Sequence, residues 1–291
     1  MTQGAKRIKV TALVDNETHY EGPLLAENGI SLLVEVESED ANTAILMDTG
    51  ITGLPLVNNA RELGINLKEI SAVVISHNHY DHTGGLLKFL REIDKRVPVI
   101  MHPEVFSQKY AVLPSLGIKK LTYTGPPFTK DKVQSMGGLP LLSREPVPIF
   151  EGVTTSGEIQ RVTDFEKLNG FYKVVEGKFV QDELLDDIAL IAKVRDGIVI
   201  LTGCGHSGVV NTALHAMKLT GIKMIKAIVG GFHLIDADSD RIERTAKELK
   251  KLNPELIAPM HCTGFRAKMA IAKMLPSAFR EFYCGDVLEI S

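Results

Sequence analysis

Apolar positions in the first third of this chain fall in short β-branched runs rather than long helical stripes. Residues 8–14, 30–37 and 44–48 are such runs, each broken by turn residues, and they predict strands. A helical pattern over 54–63, closed by Gly64, leads into an apolar strand at 72–76. Gly84 and Gly85 then mark a loop opening a helix over about 86–95, and 97–101 reads as another buried strand. The stretch 113–148 breaks any long periodicity, with Gly125-Pro126-Pro127, Gly137-Gly138 and prolines at 140, 146 and 148, and is expected to be an insertion or lid. Order resumes with strands at 187–194 and 198–202, a helix after Gly208 and a strand at 225–229. A helix over 240–252, a strand at 256–259, a further helix and a strand pair near Phe282 and Val287 complete the pattern. With no repeat and no low-complexity linker, a single domain over 1–291 is expected.

Composition narrows the class. The chain has 291 residues, 44% hydrophobic and 24% charged, a soluble globular balance. Its net charge of −3 argues against a nucleic-acid partner held by a basic surface. Residues 1–10 include basic side chains but no apolar run of signal-peptide length, and no stretch reaches the length of a membrane span. Cys204, Cys262 and Cys284 are scattered, without a CxxC pair, so disulfides are not expected and a cytoplasmic location is.

The chemistry concentrates in His77-Asn78-His79-Tyr80-Asp81-His82, four metal-capable side chains in six residues directly after a strand. In extended backbone His77 and His79 point the same way, while a turn through Tyr80 redirects Asp81 and His82, so two adjacent metal positions follow. With nine histidines in the chain, such a cluster arises by chance on the order of once in a thousand sequences. The competing explanation is a helix N-cap Asp among solvated histidines. No histidine occurs between His102 and His206, so further ligands must lie downstream. His206, in Gly203-Cys204-Gly205-His206-Ser207-Gly208, and His261, in Pro259-Met260-His261-Cys262-Thr263-Gly264, both follow strands, where open α/β architectures place their sites. His233, after Gly230-Gly231-Phe232, has the same setting and is open between substrate contact, ligand and structure. His19, His102 and His215 lack clustered partners.

The order of strand, Asp48-Thr49-Gly50, His77-x-His79-x-Asp81-His82 and a late His261 resembles the metallo-β-lactamase superfamily over most of the chain. That resemblance implies an α+β, αββα four-layer sandwich with a binuclear site at one sheet edge. It assigns His77 and His79 to one ion, Asp81, His82 and His261 to the other, and Asp48 to orienting a ligating imidazole. Two departures stand out. The usual mid-chain histidine motif is replaced by Thr154-Thr155-Ser156-Gly157-Glu158, and Cys204 stands where a bridging Asp is usual. His206 is then the substitute ligand for the first ion, and Cys204 is open between a thiolate ligand and pocket lining. The Thr-Gly-Cys-x-His-x-Gly, Gly-Gly-Phe-His-Leu and Pro-x-His-Cys-Thr-Gly segments are similar to a subgroup of dihydropterin ribofuranosyl-aminobenzene phosphate synthase-like proteins, which implies a phosphorylated pterin-type ligand.

The expected activity is hydrolysis, or transfer at a phosphoryl or acyl centre, by a metal-bound hydroxide acting on a small anionic substrate. Asp81 would steer the attacking water or take its proton, and His233 with Gly231 would contact the substrate. Glu158 and Arg161 are weaker candidates for the same cleft. Two divalent ions are expected, with zinc the default and iron, manganese and nickel compatible with the donor set. An iron redox protein and a non-catalytic metabolite-binding module are the rival classes.

Overall fold

The computed structural model describes residues 4–291, so the start of the 1–10 stretch lies outside the described residues. Two sheets carry the architecture. The first has seven strands in the order Val287–Ile290, Arg7–Val14, Ser31–Glu37, Asn42–Met47, Ala72–Val74, Val97–Met101, Gly138–Leu142. The second has six, in the order Leu256–Met260, Ile225–Gly231, Gly197–Thr202, Leu190–Val194, Val153–Thr155, Pro148–Phe150. The period-2 alternation of these strands sends one set of side chains between the sheets. Ile8, Val10, Leu32, Val34 and Ile45 there meet Leu190, Ala192, Val199, Val229 and Met260 in a single dry layer.

The opposite faces are equally apolar, and helices cover both. Helices Leu54–Glu62 and Leu86–Ile93 pack with Leu46, Val73 and Val99 outside the seven-stranded sheet. Helices Val209–Thr220, Ser239–Leu252 and Phe265–Met274 pack with Ile200, Ile228 and Ile257 outside the six-stranded one. Three apolar layers between four structural layers make the αββα sandwich that the family resemblance implied.

The parallel strands position the site. Asn42–Met47, Ala72–Val74 and Val97–Met101 run parallel in one sheet, and Gly197–Thr202, Ile225–Gly231 and Leu256–Met260 run parallel in the other. Asp48, His77, Cys204, His233 and His261 each lie within three residues of the C-terminal end of one of these strands. One edge of the sandwich therefore collects them, although they are spread over more than 200 positions.

The stretch 113–148 is more ordered than its composition suggests. Ile118–Tyr123 joins Lys109–Leu113, Phe171–Val175 and Lys178–Gln181 in a small four-stranded sheet, while Gly138–Leu142 forms an edge strand of the main sheet. The expected strand pair near Phe282 and Val287 is half formed. Val287–Ile290 pairs with Arg7–Val14, whereas the segment around Phe282 makes only an isolated bridge from Cys284 to Thr18. The strand expected to start at 187 starts at Leu190, because the preceding residues form a loop of buried carboxylates.

Candidate metal centre

Two donor sets meet at the sandwich edge. In the first, His77 Nε2, His79 Nδ1 and His206 Nε2 converge, with separations of 2.9 Å, 3.1 Å and 3.2 Å. A tetrahedral ion with Zn–N bonds near 2.0–2.1 Å spaces its nitrogens about 3.3 Å apart. The three imidazoles thus stand within a few tenths of an ångström of that arrangement. Their outward nitrogens bear this out: His79 Nε2 and His206 Nδ1 are buried with no hydrogen-bond partner, so a ring proton resting there leaves the inward lone pair free. Burial pushes the His77 and His206 imidazoles well below their ordinary range and brings His79 down to about 3. All three are neutral, as metal ligation requires.

The second set is Asp81, His82 and His261. Asp81 Oδ2 lies 3.5 Å from His261 Nε2 and 3.9 Å from His82 Nε2. Burial alone would raise the Asp81 carboxyl, but His82 and His261 beside it hold it well below the usual carboxylate range. Cys204 stands against this set, its Sγ 3.2 Å from His82 Nε2 and 3.5 Å from His261 Nε2, and within 4.8 Å of His77 in the neighbouring set. It occupies the seam between the two positions.

Behind these donors lies a layer of oxygen acceptors. Asp48 Oδ2 takes His82 Nδ1–H at 2.7 Å and the Ser76 hydroxyl at 2.6 Å, while its Oδ1 takes the Ser76 N–H at 2.7 Å. Asn16 Oδ1 takes His261 Nδ1–H at 2.7 Å, and Asp15 accepts the His261 backbone N–H at 2.8 Å. A carboxylate or amide oxygen on the far ring nitrogen orients the ring so that Nε2 faces the ion position. The close approach needs Gly203, where a Cβ would sit 2.0 Å from Ser76 Oγ and 2.5 Å from Asp48 Oδ2. Three side chains here hold left-handed backbone, Asp48 (φ 60°), His233 (φ 43°) and His261 (φ 45°). Such strain costs on the order of 1–3 kcal/mol each and persists where surroundings impose it.

His79, Asp81, Cys204, His206 and His261 line a cleft of about 390 Å³, while His77 and His82 are buried outside its lining. One wall is apolar, from Leu113, Leu116, Ile118, Phe171 and Ile235; the polar side presents Asn16, Asn28, Tyr80 and His233. His233 is buried and neither ring nitrogen has a partner. Its ring lies 4.1 Å from that of His206.

Other sequence candidates lie elsewhere. Gly231 does not reach the cleft: its N–H goes to Gly203 O, its carbonyl accepts from Thr202 Oγ1, and a Cβ there would strike Gly203 O at 2.3 Å. Gly230 (φ 123°) packs equally tightly, a Cβ falling 2.0 Å from Thr202 O. Both serve the strand end, not a ligand. Glu158 is tied to His102 at 2.9 Å and to Arg144, and Arg161 to the carbonyls of Glu183 and Leu184, so neither faces the donors. His102 therefore has a partner after all. His215 bonds Ser156 O at 3.0 Å and His19 bonds Asp286 at 2.7 Å, both structural. The segment 154–158 contributes packing through Ser156, whose hydroxyl accepts the Ala189 N–H.

Comparison with known proteins identifies the family. The family model described as metallo-beta-lactamase superfamily matches residues 29–212. The chain belongs to the metallo-β-lactamase superfamily. Within the family it is 37% identical to a Methanocaldococcus jannaschii protein named 7,8-dihydropterin-6-methyl-4-(beta-D-ribofuranosyl)-aminobenzene-5'-phosphate synthase, over 97% of this chain and 96% of that one. A solved structure described as a metal-dependent hydrolase of the β-lactamase superfamily superposes with a TM-score of 0.81 at 29% identity, covering 98% of this chain and 99% of its own. Zinc-bound PqqB of Methylobacterium extorquens shares the fold alone, with a TM-score of 0.56 at 11% identity over 97% of this chain and 100% of its own. No helix among the described residues is long and apolar enough to cross a membrane.

Sequence reasoning missed Asp15, Asn16, Asn28 and Phe171. The Asp15-Asn16 pair directly ends the first strand, the same signal that located His206 and His261, and was readable on that basis.

Proposed function

We propose that this protein is a metal-dependent enzyme that hydrolyses, or transfers a group from, a small anionic substrate bearing a phosphoester, of the phosphorylated pterin type. The observation that carries the reading is the meeting of two donor sets, His77/His79/His206 and Asp81/His82/His261, on either side of Cys204, with His79, His206, Asp81 and His261 lining one cleft. Those residues would hold two divalent ions, zinc by default, with Cys204 as a thiolate between them. Such ions lower the pKa of a bound water and neutralise charge developing on the attacked centre.

The chain's own groups then have distinct tasks. Asp81 stays ionised, so it orients an attacking water by accepting its hydrogen bond and does not store a proton; Asn28 Nδ2, 3.3 Å away, steadies that carboxylate. His233 brings ring nitrogens that no protein group uses and donates to a substrate oxyanion. Phe171 and its apolar neighbours take a flat ring and keep water from that side. Three buried, unpaired cysteines suit a reducing compartment, and we assign the protein to the cytoplasm.

A second reading, group transfer between two substrates, is favoured by the synthase name of the 37% identical relative. The test is metal analysis followed by a panel of phosphomonoesters, phosphodiesters, thioesters and lactones, each with and without an added acceptor nucleophile. Turnover that depends on metal and disappears in His79→Ala supports the proposal; product formed only with the acceptor selects transfer. Protein free of stoichiometric metal, or His79→Ala with full turnover, contradicts it.

A further inference from the structure

Lys109 is one of the largest fully buried side chains of the molecule. Its ammonium ion contacts the carboxylate of Asp186 and lies 3.1 Å from Asp182 Oδ2, and both partners are buried too. Isolated ion pairs of this kind seldom add stability, because desolvation offsets their attraction. The reason for keeping one must lie in what it holds.

Asp186 holds a metal-site loop. Its Oδ2 accepts the backbone N–H of Asn78, between His77 and His79, at 2.9 Å. The next residue, Asp187, accepts the backbone N–H of Ser207, directly after His206, at 2.7 Å. Two consecutive carboxylates thus grip the two chain segments that supply the three converging imidazoles. The loop carrying them is itself tied: the Leu184 N–H goes to Asp182 Oδ1 at 2.9 Å, Leu184 sits in left-handed backbone at φ 52°, and the Ile188 N–H reaches Ser76 O at 2.8 Å. Lys109 lies on the small sheet that also provides Phe171, and that sheet's flanking backbone bonds the His77–His82 segment, through Ser107 O to Asn78 Nδ2 at 3.1 Å and Thr124 O to Tyr80 N at 2.9 Å.

We infer that Lys109, Asp182 and Asp186 form a positioning clasp that sets the spacing of the His77, His79 and His206 imidazoles and leaves the Asp81, His82 and His261 position to other supports. The inference rests on the metal-centre reading above. Asp186 faces a donor on each oxygen, so Asp186→Asn keeps the shape yet turns an amide N–H₂ against one of them.

The decisive experiment isolates each metal position. In a His261→Ala background the three-imidazole position remains; in a His206→Ala background the other does. Zinc affinity is measured by chelator competition in each, with and without Asp186→Asn. The clasp predicts a loss of about 10–100-fold in the first background and under about threefold in the second. Equal losses in both backgrounds, or none in either, overturn it. A second measurement needs neither metal nor a variant: in the metal-free protein, amide hydrogen exchange at Asn78 and Ser207 is slow, like that of core strands. Exchange there as fast as at the exposed Glu39 overturns the clasp even if the chain proves to bind metal. Slow exchange in a protein that binds no metal upholds the clasp and refutes only the metal-centre reading.

Discussion

The two donor sets sit side by side but are held by different means. At His82 and His261 each imidazole has an oxygen on its far nitrogen, from Asp48 and Asn16, at 2.7 Å in both cases. At His79 and His206 the far nitrogens have no partner, and the rings are fixed by packing against Phe171 and by backbone bonds to Asp186 and Asp187. One half is oriented through side chains; in the other only His77 has such a contact, Nδ1 to Ser76 Oγ at 3.0 Å, and His79 and His206 depend on the loops that bear them. The consequence is that the three-imidazole half depends on the accessory sheet, which supplies Phe171 and Lys109, whereas the Asp81, His82 and His261 half depends on the N-terminal loop at Asp15 and Asn16.

The largest expected effect comes from removing a donor from either half. His79→Ala and His261→Ala should each lower turnover by more than about 100-fold, beyond the loss seen when only a ligand's hydrogen-bond partner is removed, as steady-state kinetics with saturating metal would reveal. Asp48→Asn comes next. It should weaken metal binding at the His82 position by about 10–100-fold in chelator competition and weaken the three-imidazole position less, through Ser76, whose hydroxyl joins Asp48 to His77. Phe171→Leu should act on the other half and on substrate: KM rises, and stability falls by about 1 kcal/mol, the cost of an imperfect apolar replacement in a packed site.

The two halves also titrate in opposite senses in metal-free protein. His79, lowered to about 3, binds a proton more readily unfolded, so its contribution to stability is lost as pH falls below about 6.5. Burial pushes His261 down too, but Cys262 and Asp81 outweigh it and carry it to about 9; its contribution is full below about 6.5 and lost as pH rises through 9. The melting temperature of metal-free protein should therefore fall as pH drops below about 6.5, whereas above it the stability that His261 loses is offset by Cys262, whose thiol His261 holds down. A melting temperature that stays level from about pH 6.5 to about pH 5 would remove the neutral His79 from this account. The smallest effect belongs to Glu158→Gln, which should leave turnover within about twofold, since surface ion pairs of this type contribute little.

How much of this was legible follows from how local each signal is. Most strands of both main sheets, the helices after Gly53, Gly85 and Gly208, and the cluster at 77–82 announce themselves by spacing within ten residues, whereas the short strands Gly138–Leu142, Pro148–Phe150 and Val153–Thr155, the first two broken by proline, do not. His206 and His261 follow because they end apolar strands. The small sheet was hidden because Ile118–Tyr123 and Lys178–Gln181 are largely exposed and Lys-bearing, with little apolar alternation to read. Lys109 was hidden for a sharper reason: it occupies an inward position of the strand Lys109–Leu113, where pattern logic expects an apolar side chain, and only its long-range partners Asp182 and Asp186 explain it. The bond from Asn16 to His261 spans 245 positions, and no sequence periodicity encodes it.

The central claim is that two metal positions exist and that these two donor sets divide them. Metal content per chain, measured by mass spectrometry on the wild type, His206→Ala and His261→Ala after equilibration with zinc, tests it most directly. The account predicts about two ions, one and one. A wild type without stoichiometric metal, or either variant retaining both ions, would contradict it.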